Sequence, residues 1–421
     1  MSRFLLLLAV MIAGDVIFWR VSDRRLQRLR LSRLWRLSVG GFMLVQLSYI
    51  VSIFVGSIIG HVPNFRPMIW PIAVYVWHLS ILPIAILELA ISRTGAASNR
   101  LLQRLAARTS MLNEPSASHS ISRRQALAGA AAMVPPLAAI GIAGRSTFEI
   151  EHFRIRRVEL HLPTLPSDLD GVTIAHVADL HIGKFLPSGM AERVAEATNA
   201  LEADVVAFAG DLLDISGPRV TDGIDFIRRL HSRSGLVMIE GNHDVMVDVD
   251  RFEGEVLSAG LPLLRDETKT FNVSGRKTPI QFLGISWGPF YNGADIGRSG
   301  KEANRRFRMP SDVARAASVK AVVGQRQPNA FPILLAHHPH AFDHATEADL
   351  PLTLSGHTHG GQIMLTKRIG AGPLRYKYWT GLYKNANSQL FVSNGIGNWF
   401  PLRINSPAEI VHITLRTGNL A

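Results

Sequence analysis

Apolar positions are distributed in two different ways along this 421-residue chain, and the change comes near residue 150. Before it they form long runs. Residues 37–60 and 70–91 are each long enough to cross ~30 Å of hydrocarbon as helices. The run at 4–19 is shorter and carries Asp15, so a buried-core helix or a signal-like segment competes there with a span. Glu88 lies near the end of the third run, where a carboxylate can snorkel to the interface. A fourth run, 126–144, is rich in alanine and glycine, is interrupted by Pro135 and Pro136, and is about long enough to span.

Beyond residue 150 the pattern shortens and alternates. Phe153, Ile155, Val158, Leu160 and Leu162 read as an edge-type strand with a slip in register. Short apolar runs follow at 172–177, 205–209, 236–239, 333–336 and 352–354, each ending in a cluster of Asp, His, Asn or Gly. Helical spacing appears between some of them, at 190–201 and 221–231. This is α/β logic, in which polar groups at the carboxyl ends of buried strands meet on one rim. The expected organisation is a membrane region of three to four helices over 1–148 and a catalytic domain over 149–421.

Charge follows the same division. Residues 1–150 hold sixteen arginines, no lysine and five acids, a balance of +11 in a chain whose net charge is +12. A pI near 10.4 would otherwise suggest a nucleic-acid partner. Here the excess sits between apolar runs, as in the positive-inside loops of membrane proteins, so no nucleic acid is expected. Arg20, Arg24, Arg25, Arg28, Arg30, Arg33 and Arg36 keep the first loop cytoplasmic, and the loop with His61 and Arg66 then faces out. Arg93, Arg100, Arg104, Arg108, Arg123 and Arg124 return 92–125 to the cytoplasm, so residue 145 onward crosses the membrane. Ser122-Arg123-Arg124-Gln125-Ala126-Leu127 resembles in part a twin-arginine export signal, with Ala126 in place of the usual aromatic and an ordinary anchor as the alternative. The expected location is the inner membrane, multi-pass, with the catalytic domain extracytoplasmic. The absence of cysteine rules out disulfides and thiolate metal sites without choosing a compartment.

The polar clusters are Asp179-Leu180-His181, Gly210-Asp211-Leu212-Leu213-Asp214, Gly241-Asn242-His243-Asp244, His337-His338-Pro339-His340 and Gly356-His357-Thr358-His359-Gly360-Gly361. In an extended segment residues i and i+2 share a side, so Asp-x-His and His-x-His spacings can aim two side chains at neighbouring metal positions. His337 is favoured over His338 because it directly follows the apolar run.

These five clusters, in this order, resemble the calcineurin-like metallophosphoesterase superfamily over roughly residues 170–415. Gly360-Gly361-Gln362-Ile363, the late Gly395-Ile396-Gly397 and Pro401-Leu402-Arg403 resemble its bacterial membrane-anchored phosphodiesterase-like branch. The resemblance implies a two-sheet α/β sandwich flanked by helices. It implies one metal on Asp179, His181 and His359, a second on Asn242, His337 and His357, and Asp211 bridging them. It also implies His243 as general acid, oriented by Asp214 with Asp244 as competitor. A donor set of imidazoles and hard oxygens suits two divalent ions of Mn, Fe or Zn. Two such ions neutralise a phosphoester and activate a bridging hydroxide.

Other polar residues have plainer readings. His152, His161, His176, His231 and His412 read as surface or hydrogen-bonded core residues, and Asp168 and Asp170 as a polar turn. His340 is either a substrate-side residue or a solvated helix start. Residues 288–310, with Phe290, Tyr291, Arg298, Lys301, Arg305, Arg306 and Arg308, form a basic insertion that caps the site or is merely solvated. Trp399 and Phe400 form a substrate wall or pack a loop. The expected activity is phosphohydrolysis of a phosphodiester or pyrophosphate bond, with a lipid-linked phosphoester as substrate. The competitors are a non-catalytic scaffold of the same fold, and an enzyme whose domain is cytoplasmic and acts on a nucleotide-linked lipid.

Overall fold

A computed structural model describes residues 2–30, 33–58, 68–91, 123–215, 219–246, 248–287, 312–366 and 369–418. His61, Arg66, Arg93, Arg100, Arg104, Arg108 and the basic insertion 288–310 lie outside the described residues. The chain divides into two compact units, Met1–Thr147 and Phe148–Ala421.

The first unit is helical: α1 (Ser2–Arg28), α2 (Arg33–Ile58), α3 (Ile69–Ile91) and most of α4 (Arg123–Glu151). Among the described residues, two segments are long and apolar enough to cross a membrane, Arg33–Ile53 and Ile69–Ile91. Asp15, which weakens the first run as a span, is buried and paired: Trp77 Nε1 donates to Oδ1 at 2.7 Å and His78 Nε2 lies 3.0 Å from Oδ2. Trp77 and His78 open a π-helical turn, Trp77–Ile81, inside α3. α4 runs through both Pro135 and Pro136.

The second unit is a pair of sheets. One has the order β1-β13-β2-β3-β4, from β1 (Phe153–Leu162), β2 (Thr173–Val177), β3 (Val205–Ala209), β4 (Gly235–Ile239) and β13 (Ala408–Thr417). The other has the order β11-β12-β8-β7-β6-β5, from β5 (Glu267–Phe271), β6 (Ile280–Gly284), β7 (Phe331–Leu335), β8 (Leu352–Ser355), β11 (Gly381–Asn385) and β12 (Ser388–Val392). β2, β3 and β4 are mutually parallel, as are β6, β7, β8 and β12. Their carboxyl ends therefore project their loops to one rim.

Alternation divides each buried strand between two cores. Val205, Ala207 and Ala209 of β3 face Phe282, Ile333 and Leu354 of the other sheet, whereas Val206 and Phe208 pack under helices with Val194, Ile224 and Phe252. Strands covered on both faces read as continuous apolar runs, which is why these segments lack a polar face in the sequence. The helices include α5 (Met190–Asn199), α6 (Val220–Arg228), α7 (Asn242–Met246), α8 (Val249–Ser258), α9 (Asp312–Val323) and α10 (Ala341–Glu347). A short hairpin, β9 (Met364–Thr366) and β10 (Ile369–Gly370), follows β8 in sequence.

β1 is an edge strand, but the expected slip is absent. It pairs in parallel with β13 in unbroken register from Phe153–Ala408 to Leu162–Thr417. The change of apolar phase reflects a change in which face is covered: Phe153 packs against the helix-side core and Leu160 and Leu162 enter the inter-sheet core.

Phe282 is fully buried between the sheets, edge-on to Phe271 at 5.9 Å. Phe282→Ala is expected to lower the unfolding free energy of this unit by about 3–5 kcal/mol, read as a shifted midpoint in denaturant titration of the whole chain. Glu202→Ala, at an exposed carboxylate, should change it by less than about 0.5 kcal/mol.

Candidate metal centre

Each candidate ligand stands just beyond the carboxyl end of a strand. Asp179 and His181 follow β2, Asp211 follows β3, Asn242 and His243 follow β4, His337 follows β7, and His357 and His359 follow β8. Backbone bonds lash these loops together: Asp179 N donates to Gly210 O at 2.9 Å, His181 N to Asp211 O at 3.0 Å, and Gly356 N to His337 O at 3.2 Å. The two sheets thus contribute to a single cluster.

The expected extended geometry of the Asp-x-His and His-x-His pairs is not what the chain adopts. Asp179 (φ 55°), His181 (φ 48°), His357 (φ 71°) and His359 (φ 49°) all lie in the left-handed region, as does Asp211 (φ 55°). Such conformations cost on the order of 1–3 kcal/mol each and persist only where surrounding contacts over-determine them. The paired side chains converge through tight turns rather than by strand alternation. The turns also need glycine close by: a Cβ on Gly241 would collide with the Asp211 carboxylate, and one on Gly395 would meet Cβ of Asp179.

The cluster has two lobes that meet at Asp211. In one, His181 Nε2 lies 3.0 Å from His359 Nε2 and 3.4 Å from Asp211 Oδ2, and His359 Nε2 is 3.7 Å from Asp179 Oδ1. In the other, His337 Nε2 is 3.2 Å from Asp211 Oδ2 and 3.3 Å from Asn242 Oδ1, while His357 Nδ1 is 2.9 Å from Asn242 Oδ1. His337 Nδ1 donates to the Ala209 carbonyl at 2.7 Å, which turns its Nε2 toward the cluster. His338 Nδ1 accepts from His340 N at 3.2 Å, and its ring lies 4.8 Å from that of His357. His340 precedes α10 without a side-chain capping bond, and its Nε2 accepts from Lys377 N at 3.1 Å.

Burial makes this grouping electrostatically costly without a cation. Asp179, fully buried, is pushed up to about 7 by desolvation, which outweighs the attraction of His337. Burial opposes ionisation of Asp211 too, but His337 and His181 outweigh it and hold its carboxyl well below the usual range. Burial likewise favours neutral His337, yet Asp211 and Asp179 raise it to about 9. Desolvation drives His181 down to about 3 and takes His357 and His359 well below their ordinary value, leaving them neutral. Neutral imidazole is the ligating form. Three acid–imidazole groupings have ligand atoms close enough to share an ion: Asp179, His181 and His359; His181, Asp211 and His243; Asp211, His337 and His357. Buried His181 Nδ1 and His357 Nε2 have no hydrogen-bond partner among the described residues. The donor set and its crowding fit divalent cations.

His243 sits at the edge of the cluster. Its backbone N donates to Asp211 Oδ1 at 2.8 Å, and its Nδ1 is 3.4 Å from Asp214 Oδ1. Asp244 is otherwise engaged, accepting from Leu213 N at 2.8 Å and Gly241 N at 2.9 Å, so Asp214 is the carboxylate at the ring. Burial lowers the His243 pKa, but the adjacent Asp214 carboxylate and the charges of Asp211 and Asp244 together raise it. Trp399, 43% exposed, stands with its ring 6.1 Å from that of His243, as a wall beside it.

Residues with no role assigned from sequence complete the surroundings. Arg403 is fully buried: Nε donates to Asn398 Oδ1 at 2.6 Å, Nη2 donates to the carbonyls of Asn394 and Gly397, and Nη2 lies 3.1 Å from His359 Nδ1. Its sequence signal was the Pro401-Leu402-Arg403 segment, whose likeness to a branch of the family carried no chemical role. Trp287 and Tyr376 lie 5.1 and 5.6 Å from the His357 ring, and nothing in their local sequence marks them. The plainer readings hold for His176, buried with Nε2 3.0 Å from Ser355 O, and for Asp168 and Asp170, which accept from Thr278 N and Thr417 N.

A family model for calcineurin-like phosphoesterase matches residues 172–361, which include all of these candidate ligands. A zebrafish transmembrane protein with metallophosphoesterase domain is 30% identical over 268 residues, covering 62% of this chain and 56% of its own. The chain thus spans about half the length of that relative. A Helicobacter pylori metallophosphoesterase is 28% identical over 304 residues, covering 71% and 74% of the two chains. UDP-2,3-diacylglucosamine pyrophosphatase LpxG of Chlamydia trachomatis is 24% identical, covering 61% of this chain and 87% of its own. The domain that builds this rim is thus a calcineurin-like metallophosphoesterase domain.

Proposed function

We propose that the chain is a membrane-anchored, two-metal phosphohydrolase that cleaves a phosphodiester or pyrophosphate bond in a lipid-linked substrate, with its catalytic unit on the extracytoplasmic side of the inner membrane. The observation that carries this reading is the convergence of Asp179, His181, Asp211, Asn242, His337, His357 and His359, from the ends of β2, β3, β4, β7 and β8, on one buried cluster. The name of the chlamydial relative, a pyrophosphatase acting on a diacylated sugar nucleotide, supports the bond and the lipid. Two apolar helices and the zebrafish relative's name support the membrane, and the arginine-rich loops support the side.

In this reading Asp179, His181 and His359 hold one ion, Asn242, His337 and His357 the other, and Asp211 serves both. Manganese, iron and zinc suit these donors. Divalent ions held there would supply neutralisation of the phosphoryl charge and acidification of water. The protein's own groups do the rest. Asp214 holds His243 protonated beside the cluster, and His243 delivers that proton to the leaving oxygen. Trp399 shields the proton donor from solvent on its open side. Arg403 fixes the loop that carries His359.

Purified chain loaded with manganese is expected to hydrolyse bis-p-nitrophenyl phosphate. Asp211→Asn should lower turnover more than about 100-fold, beyond the usual loss for outer hydrogen-bond partners of ligands, and should lower bound metal per chain. His337→Ala should lose metal while His338→Ala keeps it, by elemental analysis. Turnover absent from fully metal-loaded protein would favour a non-catalytic scaffold.

The pH profile tests the proton donor. Asp214 raises the His243 pKa, so Asp214→Asn lowers it, and the protonated form is lost at a lower pH. The alkaline limb of turnover should therefore move toward acid, with the acid limb little changed. A topology reporter fused after Ala421 should behave as extracytoplasmic; activity of a cytoplasm-only reporter there would place the domain on the other side.

A further inference from the structure

The stretch around the β9–β10 hairpin differs in charge from the rest of the catalytic unit. Residues 350–408 contain no Asp or Glu, but they contain Lys367, Arg368, Arg375, Lys377, Lys384 and Arg403. Of the described ones, Arg403 is buried in the site and Lys377 is paired with Asp343, whereas Arg375 and Lys384 are exposed. The same stretch exposes large apolar side chains: Ile369 is 57% exposed and Leu374 is 89% exposed.

A groove of about 1030 Å³ joins this hairpin to the start of β1, lined by Arg154, Ile155 and Arg156 on one side and Met364, Pro373 and Trp379 on the other. Arg154 and Arg156 share a single buried carboxylate, Glu409, at 2.7 and 3.3 Å, which leaves the groove a surplus positive charge. Ile155 is 40% exposed. Its position along the chain matters. β1 begins two residues after α4 ends at Glu151. Glu149, in the last turn of α4, accepts from Asn405 N at 2.9 Å and Ser406 N at 3.2 Å, and Asn405 Nδ2 donates to Met364 O at 3.0 Å. One loop therefore holds both the last turn of α4 and the first residue of β9. Phe148 in the same helical turn is half exposed.

We infer that this face docks on the surface of an anionic phospholipid bilayer, with Ile369 and Leu374 entering the acyl boundary and Arg154, Arg156 and Arg375 meeting head-group phosphates. A free phosphate would use the arginines and leave the apolar tips unexplained. An acidic soluble protein would meet the same difficulty. Apolar residues flanked by basic ones are the chemistry of an interfacial element, in which basic side chains add attraction to an anionic surface. Behind the hairpin the chain leads inward: Thr358 Oγ1 donates to Trp379 O at 2.7 Å, and the Tyr376 ring lies 5.6 Å from that of His357. A lipid held at the hairpin is thereby presented to the rim of the cluster. The docking needs a bilayer but not turnover, so its failure and that of the hydrolase reading are separable.

The chain lacks cysteine, so Leu374→Cys carries the only thiol and takes an environment-sensitive fluorophore in the full-length protein. Glu202→Cys, on the loop before β3 at the opposite end of the strands from the cluster, is the control. Reconstituted into phosphatidylcholine vesicles containing phosphatidylglycerol, the label at 374 should shift to the blue and be quenched by doxyl-labelled lipid, several-fold more than the label at 202. Pure phosphatidylcholine, or high salt, should abolish most of this difference, and Arg375→Glu should reduce it. Equal quenching at 374 and 202 would overturn the docking. Undiminished quenching at 374 in pure phosphatidylcholine would overturn the role of anionic lipid.

Discussion

The catalytic unit depends on concentrating buried negative charge and ligating nitrogen around Asp211. Its Oδ2 lies within 3.4 Å of imidazoles from both sheets, and its Oδ1 accepts the backbone N–H of His243. Desolvation alone would neutralise the carboxylates, and it does push Asp179 up to about 7. Cations resolve this conflict by giving acids and neutral imidazoles a common partner. The site is thus arranged for an occupant that the protein itself does not provide, and the two-sheet fold serves to bring five strand ends within its reach.

That convergence has a backbone cost. Five candidate ligand residues occupy left-handed conformations, where a side chain other than glycine is normally disfavoured. The cost is carried by the packing beneath them: inter-sheet core residues such as Ile174, Phe282 and Leu354 are fully buried, and the loops above are bonded to one another rather than to solvent. Glycines at 241 and 395 leave room for the carboxylates of Asp211 and Asp179 to approach neighbouring backbone. Stability stored in the core is spent on geometry at the rim, as expected where strain belongs to function.

Charge is sorted in this molecule by surroundings. Arginines of the first unit lie in sequence between apolar runs. The buried arginine, Arg403, organises the loop beneath His359. Arginines of the acid-free stretch and of β1 lie at a surface beside exposed isoleucine and leucine, where lipid is a fitting partner. One residue type therefore meets different surroundings in this chain, according to how much water reaches it.

The runs that form β2, β3, β4, β7 and β8 and the order of the polar clusters were legible along the chain, because a strand covered on both faces is mostly apolar; β6 and β12, which bury Gln281 and Gln389, were not. The superfamily was legible for the same reason, since its ligands are marked by their neighbours. What tertiary structure alone decided was contact between residues distant in sequence. It turned Asp179 and His359 toward each other through left-handed turns where alternation suggested extended chain, engaged Asp244 with backbone so that Asp214 faces His243, and carried β13 beside β1 without a register slip. It also set Arg403, Trp287 and Tyr376 around the site. Local pattern reports which side of an element is apolar; which polar groups meet across two sheets depends on packing that no local window contains.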